Sequence, residues 1–291
     1  MAFTSEMTAE LGRLSACVVG ASGTGSVVVE QLVRLGFGWV IAIDHDRVEH
    51  KNLNRILNTS VDDADAGRLK VSALAAAAQL ARGASVVEPV PMNLMSRAAV
   101  VAAAQADVLF SCVDKLMPRS LIDLMGASFL LPVLDVGVAI PTRRSNGMLC
   151  IAEVTGRLDY VYPGGPSLAD RGVYTPALLQ AEELEEASPE AHAVRRVAGY
   201  ISDLPEQAPS VISLNMRAAS ACVLEFLARA FPYRHEPNAQ YARTVFMLAE
   251  AFEESSSDNM FPNRGSMPVA AGSQEPLLGL PALGAVNEVP A

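Results

Sequence analysis

Cysteine is scarce in this 291-residue chain: Cys17, Cys112, Cys150 and Cys222 stand far apart and form no CxxC pair. That spacing argues against a disulfide scaffold and against a thiolate zinc site. The histidines, His45, His50, His192 and His235, include no HxxxH pair. Basic residues are also short, with 22 Lys+Arg against 32 Asp+Glu and a formal net charge of -10. A nucleic acid or an anionic membrane would therefore meet net repulsion, and neither is expected as a partner. No apolar run reaches the roughly 18 residues of a membrane span. Met1 to Leu14, which carries Glu6 and Glu10, lacks the basic and apolar regions of a secretory leader. The expected location is a reducing cytoplasm. What is abundant is apolar: 51% of residues are hydrophobic and only 19% charged, enough for a large core.

The apolar residues alternate between strand and helix patterns. Ala16 to Gly20 reads as a buried strand, Ser26 to Leu35 as a helix stopped by Gly36, and Trp39 to Ile43 as a second strand ending at Asp44. Lys70 to Arg82 is an alanine-rich helix. Strands are expected at Val86 to Val90, Asp107 to Val113 and Pro132 to Val136, with helices at Ser96 to Gln105 and Arg119 to Ser128 between them. This order predicts an α/β, Rossmann-like, doubly wound and mostly parallel sheet. Further on, Gly147 to Val154 and Arg157 to Tyr162 read as an antiparallel hairpin turning at Thr155-Gly156, then a Gly/Pro-rich loop to Thr175. An acidic, solvated helix is expected over Glu182 to Arg196, and an apolar helix packed under the sheet over Ser210 to Phe231. The expected organisation is a nucleotide-binding half at 1–140, an antiparallel extension of the same domain at 141–252 that supplies a dimer surface, and a weakly ordered tail at 253–291 with Leu277 to Leu280 docked.

The chemistry concentrates in the first half. Gly20, Gly23, Gly25 and Ser26 lie where strand becomes helix, so backbone N–H groups and a helix N-terminus can approach a phosphate. Ser22 replaces the middle glycine of GxGxxG, and a bare tight turn is the competing reading. Asp44, 19 residues beyond Gly25 at a strand end, is where a ribose-binding acid belongs. Hydride transfer has no need of the residues that follow: Asp46, Asn52, Arg55, Lys70 and Asp114. Splitting ATP between its α- and β-phosphates does need cations, which Arg55 and Lys70 can supply, and a carboxylate for Mg2+, which Asp114 can supply. A helix cap at Asp114 and solvated surface charges at Arg55 and Lys70 are the plain alternatives.

In this ordered set the chain resembles the ThiF/MoeB/HesA family and the adenylation half of ubiquitin-activating enzymes. The likeness runs from the glycine turn through Asp44-x-Asp46-x-Val48-Glu49-x-x-Asn52-Leu53-Asn54-Arg55 and Gly67-x-x-Lys70-Val71 to Asp114-x-x-x-x-Arg119, with Asp135-Val136-Gly137 and Pro209 to Asn215 later. The resemblance implies that Asp44 binds the ATP ribose, that Asn52, Arg55 and Lys70 contact the phosphates, and that Asp114 holds Mg2+. It implies adenylation of a carboxylate, the C-terminus of a ubiquitin-like carrier protein or a peptide, and a homodimer. Ser22, Ile56 and Lys115 depart from the family's Gly, Gln and Asn. The loop where many relatives carry the first of two zinc-binding CxxC pairs has Ser167 and Asp170, so no zinc is expected. Arg13 lies too close to Gly20 to match the family's N-terminal arginine. Cys112 and Cys222 read as core thiols, and Cys150, near Arg143 and Arg144, gives little support for a thioester. The remaining alternatives are a non-catalytic binding subunit of the same family and an NAD-dependent oxidoreductase.

Overall fold

The computed structural model describes residues 4–145, 148–188 and 211–284. In chain order these form α1 (Ser5–Leu11), β1 (Ser15–Val19), α2 (Gly23–Leu35), β2 (Trp39–Ile43), α3 (Val61–Asp65), α4 (Lys70–Arg82), β3 (Val87–Val90), α5 (Arg97–Ala103), β4 (Val108–Ser111), α6 (Leu116–Phe129) and β5 (Val133–Ala139). There follow β6 (Thr142–Ser145), β7 (Met148–Ile151), β8 (Thr155–Val161), α7 (Pro176–Ala187), α8 (Ile212–Ala230), β9 (Arg243–Met247) and β10 (Phe252–Ser256).

Eight strands make one sheet in the order β10-β9-β8-β5-β4-β1-β2-β3. β1 to β5 pair in parallel, and β8, β9 and β10 add antiparallel strands beyond β5. This is the expected Rossmann-like class with its antiparallel extension. β1 has apolar residues on both faces because both faces are covered. Ala16 and Val18 point into a core with Leu32 of α2, Leu74 of α4 and Cys222 of α8. Cys17 and Val19 point into the other, with Val100 of α5, Ile122 of α6 and the later Leu168, Leu277 and Leu278. α2 ends at Gly36, whose φ of 106° suits glycine and whose N–H returns to Leu32 O.

Four expectations are corrected. β8 does not turn back on β7: β7 pairs with β6 in a separate hairpin, and β8 runs beside β5 and β9. The acidic helix begins earlier, at Pro176, with Thr175 as its N-cap. Its expected continuation to Arg196, including Glu190 and His192, lies outside the described residues. Glu182 is not on a wet face but buried, and its carboxylate accepts hydrogen bonds from Leu116 N (2.8 Å) and Met117 N (2.7 Å), capping α6. Residues 253–284 stay on the fold rather than trailing as a tail: β10 pairs along β9 and Leu283 is buried, while Leu277 and Leu278 are buried as expected of the docked segment. α8 packs on the sheet as expected but leaves Met216 and Leu224 exposed.

The two rims of the sheet differ. β3 is a four-residue strand, Val-Glu-Pro-Val, with Pro89 inside it. β10 carries Glu253 and Glu254, both exposed.

Candidate nucleotide site

The chain winds from β1 out to β2 and β3, then crosses back to place β4 on the other side of β1. Between β1 and β4 the loops at the carboxyl ends of the strands diverge, leaving the crevice where open α/β sheets bind ligands. The glycine turn lies there. Gly20 has a φ of 90°, and a Cβ on it would stand 2.7 Å from Cys112 O at the end of β4. A Cβ on Gly25 would stand 1.7 Å from Gly20 O. Both glycines are therefore required by the turn's own close packing, whatever it binds. Ser22 has a φ of -93°, open to any residue, so the departure from GxGxxG strains nothing. Gly23 begins α2, three residues before the expected Ser26.

Ser26 is buried, and its hydroxyl is engaged by Gly23 O and Leu57 N. It braces α2 against the segment carrying Asn52 and Arg55. Asp44 sits half-buried at the end of β2, one carboxylate oxygen accepting Ala21 N (2.7 Å) and the other Asp46 N (2.8 Å). It thus joins β2 to the glycine turn and retains lone pairs for a further donor. Asn52 is buried in a short 3-10 turn, where its Oδ1 accepts Glu49 N. Arg55, half-buried, donates to Lys51 O (2.8 Å) and Asn54 Oδ1 (3.2 Å) within that turn.

Lys70, the first residue of α4, is 5% exposed, and its Nζ stands 2.6 Å from Asp46 Oδ2. Burial pushes the Asp46 carboxyl up, but the Lys70 hydrogen bond and charge, helped by His45 and Lys51, hold it below its usual value. Asp114, just beyond β4, is exposed and makes no hydrogen bond or ion pair among the described residues. The sequence-selected residues thus fall into two groups on the carboxyl edge of the sheet: the glycine turn with Asp44, Asp46 and Lys70, and Asp114 across the crevice. Arg55 lies on the adjacent turn with no bond of its own to the glycines.

A buried charge network holds the Asp114 side of the crevice. Asp135, fully buried in β5, accepts hydrogen bonds from Ser111 Oγ (2.6 Å), Arg119 Nε (2.8 Å) and Arg157 Nη2 (2.7 Å). Arg119 also donates to Val113 O (2.6 Å). Burial raises the Asp135 carboxyl, and the two guanidiniums outweigh it, so it lies below its usual value. Arg119 and Asp135 stand in the family-like motifs, but nothing in the sequence marks the roles of Arg157 and Glu182; an aspartate inside an apolar strand was a usable signal.

Cys112 backs the glycine turn, whereas Cys17 and Cys222 lie in the two cores. Cys17, Cys112 and Cys222 are all pushed up, by burial first. The loop expected to correspond to a zinc knuckle holds Ser167 Oγ and N hydrogen-bonded to Asp170 Oδ2, with no thiolate in it. Those oxygens do not fit a thiolate zinc site. Arg13 pairs with Glu10 on the surface.

A doubly wound sheet with a glycine turn at its switch point is the α/β architecture whose open sheets take ligands at that crevice. More narrowly, the chain belongs to the ThiF family, whose model matches residues 1–247. It is similar to ubiquitin-like modifier-activating enzyme 5 of Drosophila melanogaster, 28% identical over 181 residues, which cover 58% of this chain and 41% of that protein. The match to the Drosophila grimshawi protein of the same name is 25% identical over 221 residues, 72% of this chain and 50% of the other. The chain therefore spans about two fifths to one half of the length of these relatives. Among solved structures, the microcin C7 biosynthetic enzyme MccB in complex with N-formylated MccA superposes with a TM-score of 0.66 at 17% identity, over 91% of this chain and 69% of that one. E. coli MccB with ATP gives 0.63 at 16%, over 87% and 66%. PaaA gives 0.58 at 16%, over 87% and 75%. At these identities the structural matches establish the fold.

Proposed function

We propose that the chain is an Mg-ATP-dependent adenylyltransferase that activates the carboxylate of a protein or peptide. The observation that carries this reading is the pairing, across one crevice, of a glycine turn backed by a buried lysine with an exposed carboxylate that has no partner among the described residues. A triphosphate over the turn would meet the N-terminus of α2 and the Lys70 ammonium. Asp114 suits Mg2+, which binds through one or two carboxylates together with substrate phosphates and water. The metal would offset charge on the phosphate oxygens. The substrate carboxylate attacks the α-phosphorus, the bond to the bridging oxygen breaks, and pyrophosphate leaves with that electron pair. An ionised carboxylate needs no protein base, so catalysis here is positioning and electrostatic stabilisation. The MccB structures with MccA and the activating-enzyme relatives support a peptide or ubiquitin-like carrier as the substrate class.

A non-catalytic binding subunit is the second reading, favoured by the Lys70 ammonium being already paired with Asp46. ATP–pyrophosphate exchange with the full chain, Mg2+ and C-terminal peptide carboxylates separates the two. Exchange is expected; ATP binding without exchange supports the second reading, and stabilisation by NAD in place of ATP overturns both.

The chain is further read as a homodimer. Met7, Leu224, Leu227, Phe231, Pro232 and Tyr233 line an apolar groove, and Leu224 and Tyr233 are 52% and 59% exposed. Among the described residues no helix is long and apolar enough to cross a membrane.

A further inference from the structure

α6 has a start that its own sequence does not provide for. Its N-cap residue, Lys115, has extended backbone (φ -95°, ψ 151°) and makes no side-chain cap, since an ammonium has no lone pair to offer an N–H. A lysine there also sets a positive charge at the positive end of the helix. The acceptor comes instead from α7, where the two oxygens of the buried Glu182 take Leu116 N (2.8 Å) and Met117 N (2.7 Å). α7 is aimed at that end by contacts just upstream. Tyr174 Oη donates to Asp123 Oδ2 in the middle of α6 (2.8 Å), and Thr175 Oγ1 accepts Leu178 N (3.3 Å) to begin α7.

Asp114 stands between two fixed points. Behind it, Cys112 N donates to Val19 O (2.9 Å) and Val113 O accepts Arg119 Nη2 (2.6 Å). Ahead of it, Leu116 N and Met117 N are held by Glu182. Two residues of chain span at most about 7 Å, so Asp114 lies within a Debye length of the start of α6. A cation held by Asp114 therefore meets the helix end, the exposed Lys115 and the Glu182 carboxylate together.

We propose that Glu182 is a positioning residue for the metal at Asp114: it fixes the first turn of α6 and offsets the positive charge there, so that the exposed Asp114 carboxylate can hold a divalent cation against nucleotide phosphates. This rests on the reading of Asp114 as the Mg2+ ligand. A neutral cap of the same shape would still hold the helix. It would leave Asp114 beside an ammonium and a helix N-terminus with no counter-charge from α7, a field that disfavours a dication. Glu182 thus ties α7, 66 residues from Leu116 in sequence, to the strength of metal binding at the crevice.

The test needs no turnover. Calorimetry on the full chain gives its affinity for an ATP analogue with methylene in place of the α,β-bridging oxygen, once in MgCl2 and once in EDTA, and the ratio of the two affinities reads the metal's share. In the native chain Mg2+ is expected to strengthen binding, and Asp114→Ala to remove that gain. Glu182→Gln is expected to lower the ratio about 3–10-fold, the size of a charge effect at a helix end, without weakening binding in EDTA. A cap with a structural role alone predicts that both affinities fall together. Lys115→Gln, on an exposed side chain, is expected to raise the ratio in the native background and to recover it when combined with Glu182→Gln, which keeps the proposal testable should Glu182→Gln alone fail to fold. An unchanged ratio in Glu182→Gln, or a lower one in Lys115→Gln, overturns the proposal. No Mg2+ gain in the native chain, or a gain that survives Asp114→Ala, overturns the Asp114 reading and this inference with it.

Discussion

Arg119 Nε stands 2.8 Å from Asp135 Oδ1, and both side chains are buried. The same aspartate holds Ser111 and the same arginine holds Val113 O, so the strand end that presents Asp114 is gripped at two points by one ion pair. Asp135→Asn leaves two guanidiniums without their buried counter-charge and is expected to destabilise the fold by about 3–5 kcal/mol. The sign in acid follows from the direction of the shift. A carboxyl held below its unfolded value of about 4 contributes stability that is present above that pH and lost as pH falls through the folded value. Urea unfolding between pH 3 and 7 is expected to show a steep acid loss in the native chain and a lower, flatter curve in the variant.

Asp114→Ala should behave in the opposite way. An exposed side chain with no partner among the described residues is expected to contribute within about 0.5 kcal/mol to stability. The unfolding midpoint is expected to hold while Mg-dependent pyrophosphate exchange falls by several orders of magnitude. Normal exchange in the variant would make Asp114 a plain surface residue.

Lys70→Met tests whether the buried ammonium serves the triphosphate or only Asp46. A lost electrostatic contact to developing charge is expected to cut turnover about 10²–10³-fold. A variant that loses stability but keeps its exchange rate assigns Lys70 to the Asp46 pair alone.

Glu182→Ala removes the side chain that accepts Leu116 N and Met117 N, and a lost helix cap costs about 0.5–2 kcal/mol. Thermal unfolding reads that loss. Glu182→Gln, which keeps one acceptor and drops the charge at the positive end of α6, is expected to recover part of it.

Sedimentation at low micromolar concentration is expected to give a dimer of the 30.7 kDa chain. Leu224→Lys, which puts a charge on the lining of the apolar groove, is expected to yield monomer. A monomeric native chain rejects the dimer reading.

The parallel half was legible because each of its strands is followed by the helix that covers it, so the pattern is local. β8 was not, because its partners are β5 and β9, and Thr155-Gly156, a plausible turn in sequence, is in fact paired with Val138 and Ala139. Glu182 reads as a wet acid among Glu183, Glu185 and Glu186, since the amides it caps lie 66 and 65 residues away. The candidate site was legible as a set of residues but not as a geometry. Nothing in the spacing of Asp46 and Lys70 reveals that they pair, and Ser26 turned out to brace a loop.

The two rims of the sheet bear on how copies of this chain can meet. Pro89 gives β3 one fewer N–H to offer a newcomer, and Glu253 and Glu254 would set like charges against each other if two β10 strands came together. Growth by adding strands, the route to continuous intermolecular sheets, is thereby hindered at both ends through unrelated chemistry. Glu253 is paired with Arg217, so replacing Glu254 alone with Thr would be expected to promote fibrous aggregation while leaving the fold of a single chain unchanged, because it removes unpaired charge that keeps one open edge unattractive to another.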